Sequence, residues 1–332
     1  MARRITDRFG RTFDYLRIAV TERCNLRCVY CMPEEGVAFQ DASHLLTNDE
    51  ILRVVRVATG LGVGKIRYTG GEPLVRKDFV PLVAATAALP GVTSIHMTTN
   101  GVLFGDAARA LHAAGLDGAN ISLDTLRADR FLTMTRRTGL EKVLDAIHLA
   151  VALGIPSVKV NVVAMRGFND DEIPAFATLT RELPVTVRFI ELMPFDEHQV
   201  WKRGRFFGAE RIVAALRAAV PALQTSDGSS TEEHVFRAPG HAGKLAVIPA
   251  FTRSLCGACN RIRLTADGQI RNCLYSDREF DLRTALRAGA SDAALADLLC
   301  DAMALKLVDG WAAQRDAEHA SHHRTSMTQI GG

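Results

Sequence analysis

Residues 14–31 read DYLRIAVTERCNLRCVYC, a strand-like apolar run that leads into three cysteines. The cysteines are Cys24, Cys28 and Cys31, separated by three residues and then by two. A 4Fe–4S cluster usually takes four thiolates, so three thiolates would leave one iron without a protein ligand. Catalytic metal sites keep such an open position, whereas structural sites close it. The stretch therefore indicates an iron–sulfur cluster at which chemistry takes place.

Strand-like and helix-like segments alternate along the rest of the first two hundred residues. The strand-like runs, rich in Val and Ile, cover residues 14–20, 65–70, 94–100, 119–124, 157–164 and 186–192. Helical patterns lie between them, clearest over residues 48–62, 78–89, 105–114, 140–153 and 171–182. The first helix has Thr47 and Glu50 in the positions of a capping box. Such alternation predicts a parallel sheet with both faces covered. Six units, where a closed barrel has eight, predict an α/β fold with an incomplete (β/α)6 TIM-like barrel.

The rest of the chain has a different texture. Residues 225–234, TSDGSSTEEH, are interpreted as a polar linker. RIRLTADGQIRNCLY, at 261–275, predicts two short strands about an Asp267–Gly268 hairpin turn. Two helical segments and a polar tail follow. We therefore predict a barrel domain over residues 1–215 and a C-terminal α+β region over 216–332 that closes the open side of the barrel.

Composition argues against several classes of function. Of the 332 residues, 48% are hydrophobic, and the formal net charge of +3 argues against a nucleic-acid-binding polycation. There is no run of eighteen apolar residues to span a membrane, and the first residues lack the apolar core of a signal peptide. We therefore expect a cytoplasmic protein, whose seven cysteines do not form a disulfide framework. Cys300, alone in a helical run, is interpreted as a small core residue.

Unusual residues collect where the predicted strands end. The cysteine loop follows the first strand, and the later strands carry Gly70, Gly71, Glu72, Pro73, Thr98, Thr99, Asn100, Gly101, Ser122, Asp124, Lys159, Asn161, Glu191 and Met193. In parallel β/α barrels the active site forms at the C-terminal ends of the strands. The coincidence of these residues at one edge predicts an active site there.

A second set of cysteines, Cys256, Cys259 and Cys273, lies in the C-terminal region. A Cys-x-x-Cys pair in a small hairpin often holds zinc, so spacing alone leaves zinc and a second 4Fe–4S cluster as alternatives. For the first set, the alternatives to a cluster are a zinc site completed by His44 and unpaired reduced thiols.

Arginine residues give the next signal. Arg17 and Arg67 lie within predicted barrel strands, while Arg261 and Arg263 occupy alternate positions of a strand beside the second cysteine set. Burying guanidinium groups without anions is unfavourable, and their forked geometry suits phosphate oxygens. The four arginines together predict a polyanion pocket, with a triphosphate as the natural ligand.

The tyrosine before Cys31 and the GGEP sequence at 70–73 resemble the radical S-adenosylmethionine (SAM) superfamily. Further motifs resemble one family within it, the lyases that cyclise GTP early in molybdenum cofactor biosynthesis. These motifs are FDYLRIAVTERCNLRCVYCMPEEG, KIRYTGGEPLVR, TTNG, ISLDT, RFIELMPF, CGACNRIRLTADGQIRNCL and the terminal Gly331–Gly332. The resemblance runs from about residue 8 to the end of the chain.

The resemblance implies SAM and two 4Fe–4S clusters as cofactors, the clusters being held by Cys24, Cys28 and Cys31 and by Cys256, Cys259 and Cys273. The residues that match the family's SAM contacts are Tyr30, Gly71, Ser122 and Met193. Those that match its GTP contacts are Arg17, Arg67, Thr98, Lys159, Arg261, Ile262 and Arg263. Its catalytic positions correspond to Arg17, Arg261, Arg263, Gly331 and Gly332. By itself, a terminal Gly-Gly is ordinarily a frayed end.

The implied reaction begins with reductive cleavage of SAM to a 5′-deoxyadenosyl radical, which takes hydrogen from ribose C3′ of GTP. The C3′ radical attacks C8 of guanine, the resulting aminyl radical is reduced, and the product is (8S)-3′,8-cyclo-7,8-dihydroguanosine 5′-triphosphate. Implied partners are an electron donor of the flavodoxin or ferredoxin type, the downstream cyclic pyranopterin monophosphate synthase and a second copy in a homodimer, with no nucleic acid and no membrane. The alternatives are a peptide-modifying radical SAM enzyme with an auxiliary cluster, and an electron carrier or zinc-stabilised binding module.

Overall fold

The computed structural model describes residues 3–193, 204–226, 231–317, 324 and 326–331. Within these ranges, twelve strands form one sheet. The strands are β1 Tyr15–Ala19, β2 Lys65–Thr69, β3 Ser94–Thr99, β4 Gly118–Ser122, β5 Ser157–Ala164, β6 Thr186–Glu191, β7 Gln224–Thr225, β8 His234–Arg237, β9 Lys244–Ile248, β10 Arg261–Leu264, β11 Gln269–Arg271 and β12 Phe280–Asp281. The helices of the same ranges are α1 Asn48–Gly60, α2 Phe79–Ala87, α3 Phe104–Ala113, α4 Ala128–Thr135, α5 Leu140–Ala152, α6 Ile173–Glu182, α7 Ala209–Ala219, α8 Leu282–Arg287, α9 Asp292–Ala304, α10 Gly310–Ala317 and α11 Met327–Ile330.

Strands β1–β6 are hydrogen-bonded in chain order, and each neighbouring pair is parallel. Helices α1–α6 lie in the connections, because a parallel neighbour is reached by a crossover rather than a tight turn. This arrangement confirms the predicted α/β fold with an incomplete TIM-like barrel.

The C-terminal region contributes strands to both edges of this sheet. β10 pairs in parallel with β1, and β9 pairs in parallel with β6, so eight parallel strands lie side by side. Antiparallel strands extend the sheet further, β11 and β12 beyond β10, and β8 and β7 beyond β9. The predicted hairpin is confirmed, since β10 and β11 flank the turn at Asp267 and Gly268, where Gly268 has a φ of +80°. The domain boundary near residue 215 stays a prediction.

The two faces of the sheet differ in chemistry. In β5, Val158, Val160 and Val162 are buried in the hydrophobic core, while Lys159 and Asn161 alternate with them and are only partly buried. This alternation turns the valines toward the helices and the polar pair toward the inner face. The inner face lines a cavity rather than a second apolar layer, which the Val- and Ile-rich composition of the strands did not indicate.

The helices pack their apolar residues on the outer face. In α1, the buried side chains include Ile51, Val54 and Val55. Its start is fixed as predicted, because Thr47 Oγ1 accepts from the backbone N–H of Glu50 at 3.2 Å and Glu50 Oε2 accepts from that of Thr47 at 2.8 Å. Across the described part of the chain, each helix is too short or too polar to traverse a lipid bilayer.

Candidate active site

A cavity of about 330 Å³ opens on the inner face of the sheet, a volume within the range of small-molecule sites. The predicted site residues on its wall are Arg17, Cys24, Cys28, Tyr30, Cys31, Arg67, Gly71, Thr98, Ser122, Met193, Cys256, Cys259, Arg261, Arg263 and Cys273. Three predicted residues are not on this wall. Ile262 is fully buried in the core, Lys159 lines a second cavity, and Gly331 contacts the cavity residue Arg263. Gly332 lies outside the described residues.

The first cysteine loop is held by the end of α4. The backbone N–H groups of Arg27 and Val29 donate to the carbonyls of Thr135 and Met134 at 3.0 and 2.9 Å. Burial raises the pKa of Cys28 well above its ordinary value and that of Cys31 to about 12, and the neighbouring thiols add to both shifts. Thiolates so buried and so close need positive charge beside them, which the iron ions of a cluster supply. The donor set therefore fits a 4Fe–4S cluster.

The glycine pair at 70–71 allows two loops to touch. A Cβ on Gly70 would lie 2.3 Å from the carbonyl oxygen of Thr21, and one on Gly71 would lie 2.2 Å from that of Arg23. The backbone N–H of Gly71 donates to Thr21 at 2.8 Å, and that of Glu72 donates to Arg23 at 2.8 Å. Only glycine permits this approach, so GGEP braces the segment that carries Cys24.

Glu72 and Asp124, whose roles sequence alone leaves open, differ in position. Glu72 is fully buried away from the cavity and accepts hydrogen bonds from Thr99 Oγ1 at 2.9 Å and from the backbone N–H of Asn100 at 2.7 Å. Asp124 lines the cavity and accepts from the Tyr30 hydroxyl at 2.8 Å. Asn100 also lines the cavity, with Nδ2 3.7 Å from Cys24 Sγ. Glu72 thus supports the loops, while Asp124 and Asn100 face the site.

The second cysteine set lines the same cavity from the C-terminal region. Burial alone would raise the pKa of Cys259, but the charges of Arg261 and Lys306 outweigh it and lower that pKa to about 6. A thiolate is the form that binds iron, so this donor set also fits a cluster. Within the described ranges, no group of three or more His, Cys, Asp or Glu side chains is arranged to hold a single metal ion. His44, the alternative zinc ligand, is exposed, and its Nδ1 lies 3.4 Å from Ser43 Oγ.

Three arginines form a row across neighbouring strands. Arg17 of β1 is in register with Arg263 of β10 and with Arg67 of β2, and all three line the cavity. Burial lowers the pKa of Arg17 to about 10, and burial together with the charge of Arg17 lowers that of Arg263 well below its ordinary value. Like charges directly opposite each other are destabilising, so the row favours an anionic ligand. Nearby, Thr98 Oγ1 is buried without a hydrogen-bond partner among the described residues, as expected of a ligand contact.

Two carboxylates that sequence reasoning missed face these cations. The interpretation of residues 225–234 as a polar linker is wrong for Glu232 and Glu233, whose side chains are 12% and 7% exposed. Glu232 lies 3.9 Å from Arg67, and Glu233 lies 3.0 Å from Lys159 and 3.1 Å from Arg188. Arg188, 2% exposed on β6, was also missed, although an arginine inside an apolar strand is the signal that identified Arg17 and Arg67.

The C-terminal tail enters the same region. Ser326 Oγ donates to the carbonyl of Cys31 at 2.8 Å, and Arg263 Nη1 donates to the carbonyl of Gly331 at 2.9 Å. Gly331 has a φ of +73°, and a Cβ there would lie 3.1 Å from that of Ala19. The tail is therefore not frayed at Gly331, where the left-handed backbone conformation favours glycine and a Cβ would fit only tightly.

Comparison with known proteins gives matches over nearly the whole chain. Residues 18–180 match the family model of the radical SAM superfamily, and residues 185–309 match that of Molybdenum Cofactor Synthesis C. The chain is 45% identical to the GTP 3′,8-cyclase of Chlorobaculum tepidum, over 99% of this chain and 97% of that protein. It is 48% identical to molybdenum cofactor biosynthesis protein 1 of Drosophila melanogaster, over 89% of this chain and 52% of that protein.

A solved structure shares the fold. SuiB from Streptococcus suis aligns with a TM-score of 0.62 over 89% of this chain and 67% of that chain. The identity is 14%, so the likeness concerns architecture alone.

Proposed function

The chain belongs to the GTP 3′,8-cyclases, radical SAM enzymes of molybdenum cofactor biosynthesis, and from that premise we propose which of its residues carry out the cyclisation. The observation that carries the proposal is that both cysteine sets and the row of Arg263, Arg17 and Arg67 line one cavity. One cavity thus offers places for SAM, for a base and for a polyphosphate. The pathway step is the conversion of GTP to its 3′,8-cyclo-7,8-dihydro form.

The family uses SAM with a 4Fe–4S cluster, and we assign that cluster to Cys24, Cys28 and Cys31. When bound, the cluster and SAM supply the radical that removes hydrogen from ribose C3′. Tyr30, Gly71, Ser122 and Met193 are assigned to SAM, and all four line the cavity. Tyr30 is oriented for this role by its hydrogen bond to Asp124.

The second cluster is assigned to Cys256, Cys259 and Cys273, where it would hold the guanine base. Arg261 and Lys306 favour the Cys259 thiolate and so favour binding of iron. With the base fixed at one end and the phosphates at the other, the ribose is held at the radical source, which is the positioning that such chemistry needs.

The triphosphate is assigned to Arg17, Arg67, Arg261 and Arg263. Thr98 would donate to it through its hydroxyl, which has no hydrogen-bond partner in the described ranges. Forked guanidinium groups neutralise phosphate oxygens and fix their orientation at once. Ile262 can contribute only through its backbone, since its side chain is fully buried in the core. Lys159, predicted as a GTP contact, is paired with Glu233 and reaches a phosphate only if that ion pair opens.

Gly331 and Gly332 are assigned to the closure of the site. Gly331 touches Arg263, and Ser326 holds the tail to the first cysteine loop. A closed site keeps water away from a reactive carbon radical. The electron donor of flavodoxin or ferredoxin type, the homodimer, the cytoplasmic location and hand-over of the product to cyclic pyranopterin monophosphate synthase remain predictions.

The test is an anaerobic turnover experiment with GTP deuterated at C3′, SAM and a chemical reductant. We expect deuterium in 5′-deoxyadenosine and a product that elutes separately from GTP. The product should have the mass of unlabelled GTP, because one electron and one proton that reduce the cyclised radical make up for the lost deuterium. Deuterium retained at C3′, or transfer only in the presence of a peptide, would point instead to the peptide-modifying alternative. No observation on this chain favours that alternative.

A further inference from the structure

Glu232 and Glu233 place two carboxylates beside Arg67, which is assigned to phosphate, and beside the neighbouring cations Lys65, Lys159 and Arg188. Glu232 lines the main cavity, and its oxygens lie 3.9 Å from Arg67, 3.8 Å from Arg188 and 4.0 Å from Lys65. Glu233 lies behind it, beside the second cavity. Both carboxylates therefore lie where a polyphosphate would seek positive charge.

The cations are fixed so that one amino group of each faces Glu232. The Asn120 amide oxygen, in the orientation that satisfies its neighbours, accepts from Nη1 and Nε of Arg67 at 2.9 and 3.2 Å. Asn161 Oδ1 accepts from Nε and Nη2 of Arg188 at 2.8 and 2.6 Å. Of the remaining groups, Nη2 of Arg67 lies 3.9 Å from Glu232, and Nη1 of Arg188 lies 3.8 Å from Glu232 and donates to Glu233 at 3.1 Å. The two asparagines thus orient both guanidinium groups toward the pair of carboxylates.

A carboxylate in this position opposes an incoming phosphate whether it moves or stays. If it moves, its ion pairs must first open; if it stays, it repels the ligand at close range. In either case the apparent affinity for a phosphate ligand is reduced by the fraction of molecules in which the cations are occupied. Without it, buried Arg67 would lose the carboxylate that lies 3.9 Å from it.

We propose that Glu232, supported by Glu233, is an internal counter-anion of the phosphate site that the triphosphate of the substrate displaces, so that it sets the affinity for nucleotide. This inference rests on the proposed function in one respect, namely that the cavity takes a nucleoside triphosphate. Displacement also releases Lys159 and Arg188 to the ligand when Glu233 follows.

The test is the substitution Glu232→Gln in the anaerobically purified protein with its clusters intact. Binding of GTP and of inorganic tripolyphosphate is measured by calorimetry in magnesium-free buffer. Because Gln keeps the shape and removes the charge, we expect both ligands to bind roughly tenfold more tightly, as for the loss of one close charge repulsion. The matched control is Asp171→Asn. The Asp171 side chain is 59% exposed and forms an ion pair with Arg130, so this substitution also removes one paired carboxylate charge. The control should bind both ligands as the wild type does.

The outcomes separate this inference from the proposed function. Unchanged or weaker binding of tripolyphosphate to the Glu232→Gln protein overturns the counter-anion, weaker binding meaning that the carboxylate instead orients the cations that hold the ligand. Tighter tripolyphosphate binding without any GTP binding supports the counter-anion and contradicts the proposed substrate. Should Glu232→Gln fail to fold, Glu232→Asp withdraws the carboxylate by one methylene, and it should tighten tripolyphosphate binding by a smaller factor. No tightening in that variant also overturns the inference.

Discussion

Arg263 donates a hydrogen bond from Nη1 to the carbonyl oxygen of Gly331 at 2.9 Å, in a fully interior position. Arg263 follows Cys259 by four positions and is in register with Arg17. This single contact therefore links the C-terminal tail to the second cysteine set and to the arginine row. A tail so placed belongs to the site, and its loss should affect turnover before it affects folding.

Gly331→Ala tests the fit of the tail. The φ of +73° disfavours any residue with a Cβ, and the added methyl would lie 3.1 Å from Ala19 Cβ and 3.4 Å from Thr69 Cγ2. We expect turnover to fall by about tenfold or more, since such strain is of the order of 1–2 kcal/mol, with iron content unchanged. Gly289→Ala is the control, because its φ of +78° imposes the same backbone strain with no atom within 4 Å. Equal activity of the two variants would contradict the role of the tail.

Addition of one residue after Gly332 tests the tail from its end. Space is already tight one residue before the end, since a methyl group on Gly331 would lie 3.1 Å from Ala19 Cβ. We expect turnover to be abolished, while the visible and EPR spectra of both clusters are retained. Normal activity of the extended protein would show that the terminus does not reach the site.

Arg324→Gln tests the anchor of the tail. Arg324 lies 2.6 Å from Glu279 and 3.0 Å from Asp267, and it donates to the carbonyl of Gln329 at 3.0 Å. The substitution leaves the carboxylates of Glu279 and Asp267 partly buried without this cation. Removing one partner of a buried ion pair lowers the free energy of unfolding by about 3 kcal/mol or more. We expect faster proteolysis of the tail and a fall in turnover similar to that of Gly331→Ala.

The control for the anchor is Arg278→Gln. The Arg278 side chain is 49% exposed, and the substitution breaks its ion pair with Asp316. Exposed pairs contribute little, so this variant should behave as the wild type. A tail that stays protected in Arg324→Gln would assign the anchoring to Ser326 instead.

Local patterns predicted the local parts of this structure. The bounds of β5 follow from alternation of valines with Lys159 and Asn161, and the start of α1 follows from Thr47 and Glu50, because these signals lie within a few neighbouring residues. The cysteine spacing indicated which side chains share a loop. The same reasoning could have found Arg188, which interrupts an apolar strand as Arg17 does.

Non-local pairing could not be predicted in this way. The sequences of β9 and β10 do not indicate that these strands join opposite edges of the parallel sheet. Edge pairing depends on which strand edges the rest of the fold leaves without a hydrogen-bonded neighbour. Glu232 was assigned to a linker because the segment around it is polar and rich in glycine and serine. Such a composition is typical of exposed segments, but it does not indicate which residues the segment packs against. Its place among Arg67, Arg188 and Lys65 is a property of the assembled sheet.

Single cysteine substitutions test the two donor sets by iron counting. The intact protein should hold about eight iron atoms, and Cys28→Ser or Cys256→Ser should each retain about four. Cys300→Ser is the control, since Cys300 is half-buried on α9 and packs against the core away from the cavity. Zinc in the intact protein that is absent from Cys256→Ser, with the same iron content in both proteins, would establish the zinc alternative for the second set.

Glu72→Gln tests the brace between the loops through its pH dependence. Burial raises the pKa of Glu72 from 4.5 to about 7, against the hydrogen bonds that it accepts from Asn100, Leu74 and Thr99. The folded state therefore binds this proton more tightly than the unfolded state, and the wild type gains stability as the pH falls from 8 toward 6. A neutral Gln cannot titrate, so the free energy of unfolding of the wild type relative to Glu72→Gln should rise by about 1 kcal/mol between pH 8 and pH 6.

The measurement for Glu72 is denaturant unfolding of both proteins, with clusters intact, at the two pH values. The difference between the proteins at each pH cancels the contribution of other titrating groups, and Asp129→Asn, whose fully exposed carboxylate has its pKa lowered by Arg127, serves as the control. Asp129 is already ionised across this range, so its variant should keep a constant difference from the wild type. A wild-type advantage over Glu72→Gln that grows toward pH 8 would mean that the carboxylate is held ionised, and the hydrogen bonds from Asn100 and Leu74 would then outweigh its burial.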